Sequence, residues 1–159
     1  MTLGRVFVDT GAWIALQVSD DGHHQEVTDT IPHLMVACKG LVTSNLVVGE
    51  TYTLLRMAKG YPAAKRFLEK LAQSARLERA YITEGLERLA YQILHRYAEH
   101  PFSFVDATSF ALMRREGIRH AFAFDAHFST AGFTRIPADL RLPALFTLAR
   151  APCSRGPGG

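Results

Sequence analysis

Short apolar runs alternate with longer amphipathic segments along most of the chain. Arg5-Val6-Phe7-Val8, Leu41-Val42-Thr43 and Ala121-Phe122-Ala123-Phe124 have the length and composition of buried strands, and a further strand is predicted over 79–82. Strands that alternate with helices in this way form a parallel sheet with helices on both faces. The pattern therefore predicts one α/β domain.

Helices are predicted between these strands. Apolar residues recur at steps of three and four after Thr83, which is the clearest amphipathic pattern in the chain. Ser44 is predicted to cap a second helix. Further helices are predicted through 13–16, over about 24–38 with Gly40 as the end, over 63–76 and over 105–116.

Length and composition predict one domain followed by a short C-terminal extension. The chain has 159 residues, of which 48% are hydrophobic and 21% are charged, as in one ordinary globular domain. We expect the domain to cover residues 1–136. Residues 137–159 are predicted to be a C-terminal extension, whose Gly- and Pro-rich end is mobile.

The ends of the chain and its cysteines indicate a compartment. No apolar run is long enough for a membrane helix, and the first apolar segment is too short for the core of a signal peptide. Cys38 and Cys153 are a distant pair, which favours neither a disulfide framework nor a zinc site. We therefore expect the protein to be cytoplasmic and not to enter a membrane.

Asp9 and Asp125 each follow one of the two most apolar strand candidates. Ligands of open parallel sheets bind beyond the carboxyl ends of the strands, so both side chains are predicted to point into that crevice. For either aspartate taken alone, the cap of a following helix is the favoured explanation.

Asp106 and Glu50 are carboxylates on predicted apolar helix faces. Ser103 and Asp106 also have the spacing of a capping box, which would explain Asp106 without a ligand. Glu50 shares one side of its helix with Val47 and Leu54. Ionised groups are seldom buried on such a face unless they are paired or bind a metal.

A single pocket would account for all four carboxylates. Close carboxylates repel one another, and hard divalent cations with oxygen ligands relieve that repulsion. No histidine or cysteine ligand is needed, so we expect Mg²⁺ or Mn²⁺ rather than Zn²⁺. Placing four of the 15 acidic residues there leaves 11 against 18 basic residues elsewhere, which suits a polyanionic partner.

The segments that carry these acids resemble the PIN-domain nucleases, and among them the VapC-type toxins of toxin–antitoxin pairs. The resemblance covers the chain from about residue 5 to 136 and implies a three-layer α/β/α domain with a central parallel sheet. The matching segments are Val6-Phe7-Val8-Asp9-Thr10, Thr43-Ser44-Asn45-Leu46-Val47-Val48-Gly49-Glu50, Ser103-Phe104-Val105-Asp106-Ala107 and Ala123-Phe124-Asp125-Ala126-His127-Phe128.

The resemblance also implies a site and an activity. Asp9, Glu50, Asp106 and Asp125 would be the catalytic and metal-binding quartet, with Thr10 in a supporting role. The implied reaction is Mg²⁺- or Mn²⁺-dependent hydrolysis of RNA by an activated water, which leaves a 5′-phosphate and a 3′-hydroxyl. The implied partners are an RNA substrate, a cognate antitoxin protein and a second copy of the chain in a homodimer.

Some arginines and histidines outside the quartet also have predicted roles, on weaker grounds. Four arginines are candidates for salt-sensitive contacts with RNA phosphates. These are Arg56, Arg88, Arg96 and Arg119. His23 and His24 are predicted to be solvated loop residues, and His127 is predicted to pack or cap beside Asp125.

Two other enzyme classes that place an aspartate after the first strand fit this sequence poorly. A phosphatase of the haloacid-dehalogenase kind needs a second aspartate where Gly11 stands, and a response-regulator receiver needs a late lysine, whereas the last lysine is Lys70. The open alternative is a PIN-like module that binds RNA or a protein partner and has weak or no catalytic activity.

Overall fold

Five parallel strands form one sheet in the structure, a computed structural model that describes residues 2–141. The strands are β1 (Leu3–Val8), β2 (Cys38–Ser44), β3 (Leu77–Ala80), β4 (His120–Phe122) and β5 (Thr134–Ile136). The helices are α1 (Thr10–Gln17), α2 (His24–Ala37), α3 (Asn45–Lys59), α4 (Tyr61–Gln73), α5 (Glu84–Arg96), α6 (Phe104–Arg115) and α7 (His127–Thr130). The predicted mobile end of the chain lies outside the described residues, and the division at residue 136 stays a prediction.

The order of the strands reverses at the centre of the sheet. The strand order is β3-β2-β1-β4-β5, and all neighbouring pairs are parallel. The chain therefore builds one half outward from β1 and returns to build the other half from β4. A crevice opens at such a reversal, beyond the carboxyl ends of β1 and β4. The predicted parallel α/β/α arrangement is confirmed.

The central strand is buried on both faces. Val6, Phe7 and Val8 are each 0% exposed, and successive strand residues point to opposite faces. Phe7 packs on Phe128 with ring centroids 6.3 Å apart, and Phe110 meets the edge of Phe128 at 5.0 Å. This core holds α6 and α7 against the half of the sheet that carries β4.

Thr43 ties α1 to the carboxyl ends of the two central strands. Its hydroxyl donates to the carbonyl oxygen of Val8 over 3.0 Å, and it accepts a hydrogen bond from the Trp13 indole over 3.2 Å. Thr43 is fully buried, so these bonds are shielded from water. They fix the start of α1, where Asp9 stands.

The end of the second helix differs from the prediction. Gly40 was expected to stop the helix, but α2 ends at Ala37 and Gly40 lies inside β2, paired with Arg5 of β1. A Cβ atom at Gly40 would lie 3.4 Å from the carbonyl oxygen of Arg76, at the near limit of ordinary van der Waals contact. Strand pairing, rather than the glycine, therefore determines where the helix stops.

Smaller differences concern strand ends and short elements. The third strand begins two residues earlier than predicted, and β4 ends at Phe122 rather than at Phe124. Helix α7 and strand β5 were not predicted, because elements of three or four residues leave no periodic pattern. Strand β5 exists through its pairing with β4, in which Phe122 is opposite Ile136.

None of the helices within residues 2–141 is both long enough and apolar enough to cross a membrane. Cys38 is buried and carries a free thiol. Cys153 lies outside the part of the chain that the structure describes.

Ser44→Ala tests the predicted cap of α3. The Ser44 hydroxyl accepts a hydrogen bond from the amide of Val47 over 3.1 Å, and its loss should lower the free energy of unfolding by about 1 kcal/mol. Urea denaturation measures the change. Thr53→Ala, at an exposed position inside the same helix, should not destabilise the protein. Equal stability of wild type and Ser44→Ala would show that the cap contributes nothing.

Candidate active site

All four predicted carboxylates line one open pocket beyond the carboxyl ends of β1 and β4. The pocket has a volume of about 480 Å³. The lining residues with charged or polar side chains are Asp9, Thr10, Asp21, His23, Glu50, Ser103, Asp106, Asp125 and His127. Carboxylates that are 19 to 116 positions apart in the chain thus meet where the sheet topology predicts a ligand site.

Asp9 is the buried centre of this acidic group. It follows β1 directly, is 8% exposed, and makes no side-chain hydrogen bond that caps α1. Its pKa is raised to about 7, mainly by burial and in addition by the nearby charges of Asp106, Glu50 and Asp125, while a backbone hydrogen bond from Thr10 opposes the rise. Helix capping therefore does not account for Asp9, and the four acids share one electrostatic field.

Glu50 faces the pocket from α3 and is held by Thr10. The Thr10 hydroxyl donates to Glu50 Oε2 over 2.5 Å, which links the first turn of α1 to α3. Glu50 is half-buried rather than set in a buried stripe, and its helical neighbour Leu54 is 46% exposed. The predicted burial of this face is wrong, because α3 packs on the core through the adjacent face that contains Thr51 and Leu55.

Asp106 both caps its helix and lines the pocket. Its Oδ2 accepts a hydrogen bond from the amide of Ser103 over 2.9 Å, and the Ser103 hydroxyl accepts one from the amide of Asp106. The capping box predicted from the spacing is therefore present. The capping box uses only Oδ2 of the Asp106 carboxylate, so the same residue can both cap the helix and bind a ligand.

His127 joins the two aspartates from the second half of the sheet. Its backbone amide donates to Asp125 Oδ1 over 2.8 Å, and its Nδ1 lies 3.0 Å from Asp106 Oδ2 and 3.4 Å from Asp125 Oδ1. The imidazole packs edge-on against Phe102 at 5.1 Å. The predicted packing and capping beside Asp125 are thus found, whereas the contact with Asp106 was missed.

The acids are not equally close to one another. Asp106, Asp125 and His127 offer ligand atoms within 4.8 Å of each other, whereas Asp9 and Glu50 line the same pocket outside that compact group. Four carboxylates are hard oxygen donors that suit Mg²⁺ or Mn²⁺. A divalent cation would also favour the ionised form of Asp9, whose pKa is raised first by burial and then by the charges of the neighbouring acids. The residues present therefore fit a divalent metal site.

Within residues 2–141, no arginine lines this pocket. Arg56 stacks over Tyr61, and Arg88 pairs with Glu84 on its own helix. Arg119 precedes β4 and so lies at the amino-terminal edge of the sheet, opposite the pocket. The position of Arg119 is therefore wrong for a contact beside the four carboxylates.

A model of the PIN domain matches residues 6–134. The curated protein 23S rRNA-specific endonuclease VapC20 of Mycobacterium tuberculosis is 43% identical over 133 residues, which cover 82% of this chain and 97% of that protein. This chain is a PIN-domain nuclease of the VapC type. The family predicted from the four segments is thus confirmed. The predicted activity, a ribonuclease of the toxin type, is confirmed as that of the family.

Solved structures agree with this PIN-domain fold. The crystal structure of VapC20 from M. tuberculosis, described as a Sarcin-Ricin loop cleaving toxin, superposes with a TM-score of 0.74 at 40% identity and covers 80% of this chain and 95% of its own. FitAcB from Neisseria gonorrhoeae has a TM-score of 0.61 at 14% identity, with 82% of this chain and 95% of its own covered. The second likeness supports the fold alone.

Asp9→Asn tests the raised pKa of Asp9, which burial causes first and the neighbouring acids second. The unfolded chain loses this proton near the ordinary value of 3.8 and the folded protein near pH 7, so the metal-free protein loses stability as the pH rises between these values. Over that window Asp9→Asn should gain up to about 4 kcal/mol of unfolding free energy relative to wild type.

Urea denaturation in chelator, below and above this pH window, measures the difference. Asp29→Asn is the control, because Asp29 is an exposed carboxylate of α2 that accepts a hydrogen bond from Gln25 and does not line the pocket. Divalent cation should restore the stability of the wild type at the higher pH. The same pH dependence in wild type and Asp9→Asn would contradict the raised pKa.

His127→Leu tests whether His127 orients the carboxylates. Loss of the Nδ1 contact with Asp106 should weaken Mn²⁺ binding about tenfold or more, as is usual when a group that orients metal ligands is removed. His127→Asn retains a donor and should lose less. Calorimetric titration with Mn²⁺ provides the measurement, with His95→Leu on the exposed face of α5 as control. Unchanged affinity in His127→Leu would assign His127 a packing role only.

Proposed function

We propose that this PIN domain is a divalent-metal-dependent endoribonuclease in which Asp9, Glu50, Asp106 and Asp125 bind the metal and act as the catalytic residues. The single observation that carries the proposal is their convergence on one pocket, with the field of the other three acids acting on the buried Asp9. Thr10 supports the quartet by holding Glu50.

Mg²⁺ or Mn²⁺ is the proposed cofactor, because the donor set consists mainly of carboxylate oxygens. Such an ion, when bound, activates a water molecule and neutralises the phosphate charge in phosphodiester hydrolysis. The protein side chains supply the positioning. Ser103 and His127 orient Asp106 through its Oδ2, and the amide of His127 holds Asp125, so the acids are organised before a ligand arrives.

The proposed substrate is a structured loop of large-subunit ribosomal RNA. The support is the 43% identity with a 23S rRNA-specific endonuclease over nearly the whole of that relative. The solved relative is described as cleaving the sarcin–ricin loop, so we propose the equivalent loop as the target. Hydrolysis by water should leave a 5′-phosphate and a 3′-hydroxyl, and a ribosomal target places the protein in the cytoplasm.

The proposed partners are a cognate antitoxin protein and a second copy of the chain. The solved relative is described as a toxin, which supports a paired antitoxin. Large apolar side chains are also exposed along α3 and at the start of α4, where Leu54 is 46%, Met57 80% and Tyr61 51% accessible. Apolar surface of this kind commonly marks a protein contact.

Asp106→Asn tests the proposed reaction. The asparagine keeps the size and a cap acceptor for α6 but removes the charge, so Mn²⁺-dependent cleavage of an rRNA stem-loop should fall at least a hundredfold, a barrier increase of about 3 kcal/mol. Gel analysis of cleavage products and their end groups is the measurement, with circular dichroism to verify folding.

Asp29→Asn serves as the matched control and should cleave like the wild type, since Asp29 is exposed and does not line the pocket. A wild-type protein that cleaves no RNA in a broad panel, while it binds RNA equally well in chelator, would favour the binding-module alternative.

A further inference from the structure

Two aromatic rings stand at the edge of the catalytic pocket without belonging to the acidic quartet. His23 and Phe124 stack nearly parallel, with ring centroids 3.9 Å apart and an interplanar angle of 12°. Both residues line the same pocket as the four carboxylates, and Phe124 directly precedes Asp125. The stack is therefore next to the place where a scissile phosphate would be held.

The stack is held in position from both sides. The amide of His23 donates to Asp21 Oδ1 over 2.8 Å, and its ring Nδ1 lies 3.4 Å from Glu26 Oε2. On the other side, the carbonyl of Phe124 accepts a hydrogen bond from Arg135 over 2.9 Å, and the ring of Phe124 lies 6.4 Å from that of the buried Phe122. A ring fixed in this way loses little entropy when a ligand binds.

One face of His23 is open. Its side chain is 54% exposed although Phe124 covers one face, so the opposite face is the accessible one. His23 stands at the cap position of α2 but makes no side-chain capping hydrogen bond. Helix capping therefore does not explain the orientation of this ring.

We propose that His23, backed by Phe124, is a stacking platform for one unpaired nucleobase adjacent to the scissile phosphate. Proteins recognise RNA loops by splaying bases out and stacking them on aromatic or histidine rings. Such stacking needs no charge on the ligand, so it is compatible with a pocket that is strongly acidic. The platform deepens the proposed function and depends on it, since it assigns His23 a role in substrate selection rather than in hydrolysis.

Steady-state cleavage of an rRNA stem-loop compares three variants. His23→Ala should raise KM about tenfold or more and change kcat by less than about twofold, because stacking binds the substrate without acting on the reacting bond. His23→Phe should restore KM to within about threefold of wild type, since it keeps a flat ring. His95→Ala should have no effect, because His95 is exposed on α5 and does not line the pocket.

A binding experiment separates this inference from the proposed activity. The same RNA carries a fluorescent adenine analogue at one loop position at a time, and it is titrated with Asp106→Asn protein in Mg²⁺. The platform is supported if the fluorescence is quenched at one loop position, if the Asp106→Asn/His23→Ala double variant no longer quenches it, and if the Asp106→Asn/His23→Phe double variant quenches it again. A wild type that cleaves no RNA would refute the proposed ribonuclease, while this titration would still decide whether His23 stacks a base.

Three results would overturn the platform. The first is equal KM and equal quenching in His23→Ala and His95→Ala. The second is failure of His23→Phe to restore either quantity. The third is a His23→Ala protein that loses affinity for a co-purified antitoxin but not for RNA. The last result would assign the open ring face to a protein side chain instead of a nucleobase.

Discussion

The burial of a carboxyl group at the centre of the sheet is the constraint on which the rest of this site depends. Asp9 is 8% exposed, and its pKa rises to about 7 because burial and three neighbouring acids disfavour its charge. A fold that only needed stability would place an apolar residue there. Retaining the acid at the end of β1 makes sense when a cation and an anionic phosphate complete the charge balance.

The surrounding structure holds these mutually repelling groups in place. Thr10 donates to Glu50, Ser103 and His127 bond Asp106 Oδ2, and the amide of His127 bonds Asp125. Glu50, Asp106 and Asp125 are thus each oriented by a neighbouring residue that is not one of the acids. Preorganisation of this kind reduces the reorganisation that binding would otherwise require. The same reasoning applies to His23, whose ring is fixed at the pocket edge by Phe124.

Particular residues show where sequence reasoning reached its limit. Ser44 and Ser103 were correctly predicted as caps, since capping depends on neighbours in the chain. Gly40 was wrongly predicted to end α2, because its environment is set by pairing with β1. Glu50 was correctly expected in the pocket but wrongly expected in a buried stripe, because the face that a helix buries depends on its packing partner.

The sequence by itself determined the alternation of strands and helices, the parallel sheet, and the four carboxylates that follow or face its carboxyl edge. These features follow from the periodicity of apolar residues and from the position of each acid relative to its own strand or helix, both of which can be read locally in the sequence. Only the tertiary structure decided that His127 contacts Asp106, that His23 stacks on Phe124, and that Arg119 lies at the opposite edge. Those contacts join segments whose mutual distance is set by sheet order and side-chain packing, which no local pattern encodes.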